Sequence, residues 1–87
     1  MAIVKIYTIT TCPACDLAKK ILKEKKVIFE EFVVDDKPKE LKTLIEKTKM
    51  KTVPQIFING HFIGGCSDMM DLDKKNQLDI LLQAEDH

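Results

Sequence analysis

The chain places two thiols three positions apart, in Cys12-Pro13-Ala14-Cys15. Thiols at that spacing can interconvert between a dithiol and a small disulfide ring, which is redox chemistry. The thiolate is the reactive form of cysteine, and a helix N-terminus can pull its pKa from about 8.5 down to between about 3.5 and 7.5. Pro13 suits the first turn of a helix, because its missing N–H would have had no partner there. Cys12 then sits at the helix start, where unpaired N–H groups and the helix dipole favour negative charge. Cys12 is therefore the expected nucleophile, and Cys15, inside the first turn and partly covered, the expected resolving thiol. Two duller readings compete, half of a zinc site and buried structural thiols. Zinc usually takes four ligands, and only Cys66, His61 and His87 remain to supply the others. No second pair at metal-ligand spacing is present, which disfavours zinc.

Such a site needs a strand leading into it and a helix leading out. Ile3-Val4-Lys5-Ile6-Tyr7 reads as the strand. Pro13 to Lys25 reads as the helix, with Ala14, Leu17, Ala18, Ile21 and Leu22 in helical spacing. Val27 to Val34, rich in β-branched and aromatic residues, predicts a second strand. Asp35-Asp36-Lys37-Pro38 predicts the start of a second helix, with an Asp available as cap and Pro38 in the first turn. Its buried stripe would be Leu41, Leu44, Ile45 and Thr48. Asn59-Gly60 between Gln55-to-Ile58 and His61-to-Gly64 predicts a two-residue β-hairpin, because both turn residues tolerate positive φ. The chain is expected to turn helical from about Ser67. Lost phase across Asp73 to Asn76 predicts two short helices there, the second near Gln77 to Gln83. The tail Ala84 to His87 is expected to fray.

The first two strands should be parallel with a right-handed helical crossover, and the hairpin should add two antiparallel strands. A C-x-x-C in that βαβ context points to a thioredoxin-like fold, β-α-β-α-β-β-α, with a four-stranded mixed sheet flanked by helices. Eighty-seven residues, 45% of them hydrophobic, suit one small domain over 1–87. The 14 basic and 14 acidic residues balance, so net charge points to neither nucleic acid nor a membrane surface. Three cysteines are too few, and odd in number, for a disulfide-stapled secreted mini-protein. No long apolar run follows Met1 to Lys5, so no signal peptide is expected, and no stretch approaches the ~20 apolar residues of a spanning helix. A soluble, cytoplasmic monomer is the expectation.

Three motifs together resemble those of the glutaredoxins, most closely the short dithiol type. They are Cys12-Pro13-Ala14-Cys15, Thr52-Val53-Pro54 and Gly64-Gly65-Cys66-Ser67-Asp68. The resemblance extends over almost the whole chain. It implies a thioredoxin fold, glutathione as reductant, attack by the first cysteine and a cis bond before Pro54. An ordinary loop proline opening a strand is the alternative for Pro54. With a cis bond, the N–H and C=O of Val53 would face outward, free to pair with an extended peptide such as glutathione. The family docks the cysteinyl part of glutathione there, which assigns Thr52, Val53 and Pro54 to that ligand. Gly64 to Asp68 also reads as a plain turn in which Ser67 or Asp68 caps a helix. The resemblance adds a ligand to that cap. Helix-start N–H groups receive a carboxylate and Asp68 pairs with an ammonium, and a γ-glutamyl end carries both. The backbone of Cys66, with Ser67 and Asp68, is assigned to it. The Cys66 thiol itself is expected to pack rather than react.

Two positions depart from the family pattern. Ala14 stands where glutaredoxins commonly have Tyr, so the site should be more open. Ile9 stands where many have Lys, which removes a positive charge near the thiolate and the glycyl carboxylate of glutathione. Lys51 is the candidate substitute, against the reading of a solvated surface lysine. Lys47, Lys49 and Lys51 make that side locally positive, and His61 reads as a surface residue. The resemblance implies a glutathione-dependent thiol–disulfide oxidoreductase that reduces protein disulfides and protein–glutathione mixed disulfides. Glutathione would be its co-substrate, with no bound cofactor or metal. Its partners would be disulfide-containing or glutathionylated proteins, ribonucleotide reductase among the candidates. Two other readings stay open. One is a redoxin fed by thioredoxin reductase, against which Gly64 to Asp68 argues. The other is a carrier in which Cys12 and glutathione hold an iron–sulfur cluster between two subunits. Glutaredoxins of that kind often lack Pro13 or the second cysteine.

Overall fold

The structure, a computed structural model describing residues 2–84, begins with strand β1, Val4–Thr8. Side chains alternate across a strand, so Val4, Ile6 and Thr8 are buried on one face while Lys5 and Tyr7 lie on the other. Helix α1 (Pro13–Glu24), strand β2 (Phe29–Val33) and helix α2 (Pro38–Thr48) follow. The hairpin β3 (Gln55–Ile58) and β4 (His61–Gly64) and the helices α3 (Cys66–Lys74) and α4 (Leu78–Gln83) complete the order. The strands lie as β2-β1-β3-β4. β1 pairs parallel with β2 and antiparallel with β3, and β3 pairs antiparallel with β4. This is the mixed four-stranded sheet expected from the sequence.

Each face of the sheet has its own cover. Ile6 sits opposite Ile56, and Val4 opposite Ile58. Ala18 and Leu22 of α1, Met69 of α3 and Leu78 of α4 close over them as one buried cluster. On the other face Tyr7 stacks on Phe32 at 5.0 Å between centroids and meets Phe57 edge-on at 5.6 Å. The Asn-Gly turn forms as expected, with φ of 52° at Asn59 and 81° at Gly60. The Asn59 carboxamide oxygen also accepts from the Ile3 N–H at 2.8 Å, fixing the turn against the start of β1.

Several local expectations need correction. β2 begins at Phe29 rather than Val27, because the Val27 N–H bonds back to the Leu22 carbonyl at 3.1 Å and Ile28 points into solvent, 79% exposed. In α1 the apolar positions Ala14 and Leu17 are exposed, and Cys15 takes the inward place with Ala18 and Leu22. Lys37, not an Asp, caps α2, and it makes no side-chain cap bond. α3 starts at Cys66 with Gly65 as its N-cap, not Ser67 or Asp68. Of the tail expected to fray, residues 85–87 lie outside the described residues, as does the zinc candidate His87. Among the described residues no helix is long and apolar enough to cross a membrane.

Candidate active site

The sheet topology brings three loops to one end. β1 runs out at Thr8, β3 runs in at Gln55 opposite Tyr7, and β4 runs out at Gly64 opposite Ile56. Neighbouring strands are about 4.8 Å apart. Segments 9–12, 49–54 and 65–68 therefore emerge side by side, and they carry Cys12, Thr52-Val53-Pro54 and the start of α3.

Cys12 is the N-cap of α1, in an extended conformation with φ −153° and ψ 99°. Its Sγ accepts the Cys15 N–H at 3.1 Å, and its carbonyl accepts the Asp16 N–H at 3.0 Å. The sulfur does what a serine or aspartate oxygen does at other helix starts, satisfying an N–H that has no helical partner. The same N–H and the helix dipole lower the energy of a thiolate at that position. Cys12 and Cys15 are at disulfide-bonding distance, with Cα atoms 5.2 Å apart, inside the usual span of about 4.4 to 6.8 Å. Cys12 is half-buried, whereas Cys15 is 1% exposed.

Two acidic residues hold this end of the molecule: Asp35, one of the two aspartates expected to cap α2, and Glu31, which carries no signal in the sequence. Asp35 accepts the Thr10 N–H at 3.1 Å and so anchors the loop before Cys12. Hydrogen bonds from the Thr10 hydroxyl, and then from its N–H, keep the Asp35 carboxyl below the usual carboxylate range. Glu31 accepts from the buried Thr8 hydroxyl at 2.7 Å and from the Lys19 ammonium at 2.9 Å. Lys19 first, and Thr8 next, hold the Glu31 carboxyl down. That contact ties α1 to β1 and β2.

The Val53–Pro54 bond is cis. Pro54 is buried, Val53 half-buried, and Lys51 and Thr52 exposed. Among the described residues the N–H and C=O of Val53 have no hydrogen-bond partner. The buried Gln55 carboxamide donates to the Met50 carbonyl at 2.7 Å and the Thr52 carbonyl at 3.0 Å, which pins the loop. A lone polar residue opening the otherwise apolar Gln55-to-Ile58 run was the signal for it. A Cβ on Gly65 would meet Met50 Cε at 3.2 Å and the Pro54 carbonyl at 3.4 Å, so the second and third loops touch.

At the start of α3 the Asp68 carboxylate accepts the Gly65 N–H at 2.9 Å. Asp68 is thus the third helical residue reaching back to the cap, not the cap itself. The N–H groups of Cys66 and Ser67, at the first two helical positions, have no bond among the described residues. Ser67 is exposed and Cys66 buried, and burial pushes the Cys66 thiol pKa up. Ile9 is half-buried and His61 exposed. Among the described residues no three His, Cys, Asp or Glu side chains gather as metal ligands.

A thioredoxin-like sheet with a paired-cysteine helix start at one end of its strands defines a thiol–disulfide oxidoreductase. Residues 4–63 match the glutaredoxin family model, and the chain belongs to the glutaredoxin family. It is 45% identical to glutaredoxin 3 from Escherichia coli strain K12 over 83 residues, 95% of this chain and 100% of that one. It is similar in structure to buckwheat glutaredoxin solved as a glutathione complex, with TM-score 0.89 and 25% identity over 93% of this chain and 76% of that one. The dithiolic glutaredoxin 2-C-Grx1 of Trypanosoma brucei brucei matches with TM-score 0.85 and 40% identity, over 92% of this chain and 86% of that one.

Proposed function

We propose that this chain is a glutathione-dependent oxidoreductase, cytoplasmic and monomeric, that reduces protein disulfides and protein–glutathione mixed disulfides. The observation that carries the reading is Cys12 as the cap of α1, its sulfur 3.1 Å from the Cys15 N–H. The Cys12 thiolate attacks a disulfide sulfur, forms a mixed disulfide and expels the other thiolate, which takes up a proton. With a glutathionylated protein, Cys12 takes the glutathionyl group, and a second glutathione releases it as the disulfide. With a protein disulfide, Cys15 attacks the mixed disulfide, and two glutathiones then restore the dithiol.

The unpaired Val53 backbone, beside Thr52 and Pro54, supports docking of the cysteinyl part of glutathione by strand-like pairing. The free N–H groups at Cys66 and Ser67 suit the γ-glutamyl carboxylate, and the second oxygen of Asp68 suits its ammonium. Lys51 is exposed beside this loop and within the reading meets the glycyl carboxylate. The buckwheat neighbour is described with glutathione bound, which supports the same ligand here. Ribonucleotide reductase is one candidate among the disulfide substrates.

The test is steady-state reduction of a glutathione mixed disulfide, with regeneration by glutathione reductase compared with thioredoxin reductase. Turnover with glutathione and glutathione reductase is expected. Turnover with thioredoxin reductase alone would reject glutathione as reductant.

A further inference from the structure

On the sheet face covered by α2 lies a groove of about 720 Å3, within the range of about 300 to 1,000 Å3 typical of small-molecule sites. Tyr7, Phe32, Phe57 and Leu44 form its apolar lining, and Lys5, Lys39 and Lys47 approach it with one carboxylate, Glu40. No residue of the Cys12 loop, of 51–54 or of 65–68 lines it. It reaches the hairpin turn Asn59-Gly60, at the end of the sheet opposite the thiols. It is therefore separate from the redox site.

Two features say what it takes. The Tyr7 and Phe32 rings are stacked within 21° of parallel and Phe57 meets Tyr7 edge-on, so the floor is a cluster of aromatic rings. The charge around that surface is unbalanced, three ammonium groups to one carboxylate, although the chain as a whole is neutral. Glu40 also faces Lys37 at 4.0 Å, which draws its charge away from the groove lysines. Lys47 already sits 5.3 Å from the Phe57 ring centroid, so a cation stands at the edge of the apolar floor. An apolar floor with a cationic rim complements a ligand with an apolar body and an anionic head.

We propose that this groove binds a planar aromatic acid, its ring system on Tyr7, Phe32 and Phe57 and its carboxylate or sulfonate at Lys5 and Lys47. The test uses the full chain, with 8-anilinonaphthalene-1-sulfonate as anionic probe and N-phenyl-1-naphthylamine as its uncharged relative. Backbone amide shifts in NMR spectra locate each probe. Emission of Tyr7, the sole tyrosine in a chain without tryptophan, reports the floor. The sulfonate is expected to shift Lys5, Tyr7, Phe32, Lys47 and Phe57 and to quench Tyr7. Lys5→Gln with Lys47→Gln should weaken the sulfonate about fivefold or more and change the neutral probe by less than about twofold. The same variant should keep the wild-type rate of thiol exchange, which shows that the fold is intact. Equal effects on both probes, no effect on either, or shifts confined to the Cys12 end would overturn the proposal. So would shifts of the same residues with protein concentration alone, which would assign the face to a second copy.

Discussion

Cys12 and Cys15 are chemically identical and physically unequal. One is a half-buried helix cap whose sulfur receives an N–H, and the other is buried in the first turn. On the proposed reading, Cys12→Ser abolishes exchange with every disulfide. Cys15→Ser keeps reduction of glutathione mixed disulfides, which needs one protein thiol, and loses most reduction of protein disulfides. The reverse pattern in coupled assays would exchange the two roles. The cap geometry also carries a pKa expectation. Thiolate absorbance, followed against pH with Cys15→Ser and Cys66→Ser as background, should place Cys12 below the free-thiol value. A value near the free-thiol figure of about 8.5 would mean that the helix start does not act on the sulfur.

The elements explain what could be read from the sequence and what could not. The paired thiols, the Asn-Gly turn and the hairpin strands depend on near neighbours and were legible. The caps of α2 and α3 were not, because side chains that suit a helix start can serve elsewhere. Asp35, one of two aspartates available to cap α2, instead reaches across to Thr10, 25 residues away. Asp68 looked like a cap and instead bonds back to Gly65 from the third helical position. Leu17 fitted the helical period and is nonetheless exposed, because the inward stripe of α1 runs through Cys15, Ala18 and Leu22. The work of Gln55, pinning the Pro54 loop, needs partners outside its strand and so is not a local property of the sequence. At Gly64 the backbone sits at φ 120°, and a Cβ there would collide with the Asp68 side chain. Gly64→Ala should therefore cost about 1 to 3 kcal/mol in denaturant unfolding and weaken glutathione-dependent turnover. A cost below about 0.5 kcal/mol would show that the start of α3 does not depend on that close approach.

Across the whole molecule, a few polar contacts hold the redox end and its supporting helices in place. Lys25, at the end of α1, reaches Asp73 at 2.6 Å and Asp79 at 2.9 Å, joining three helices. Glu31 joins α1 to the sheet through Lys19 and the buried Thr8 hydroxyl. Because Glu31 is held below its ordinary range, its contribution is present above the unfolded value of about 4.3 and fades as pH falls through the lower folded value. Glu31→Ala should cost about 1 to 2 kcal/mol at neutral pH, mainly by leaving the Thr8 hydroxyl without its acceptor. In unfolding curves measured against pH, the gap to wild type should narrow below about pH 4. A gap independent of pH would mean that the Lys19 contact adds nothing. On the proposed reading, three loops from three strands form one glutathione site around Cys12. Its most direct measurement is NMR of the Cys15→Ser protein carrying glutathione on Cys12 as a mixed disulfide. Nuclear Overhauser contacts are expected from the cysteinyl part of glutathione to Val53, and from the γ-glutamyl end to Ser67 and Asp68. A glutathionyl group without contacts to either loop would contradict it.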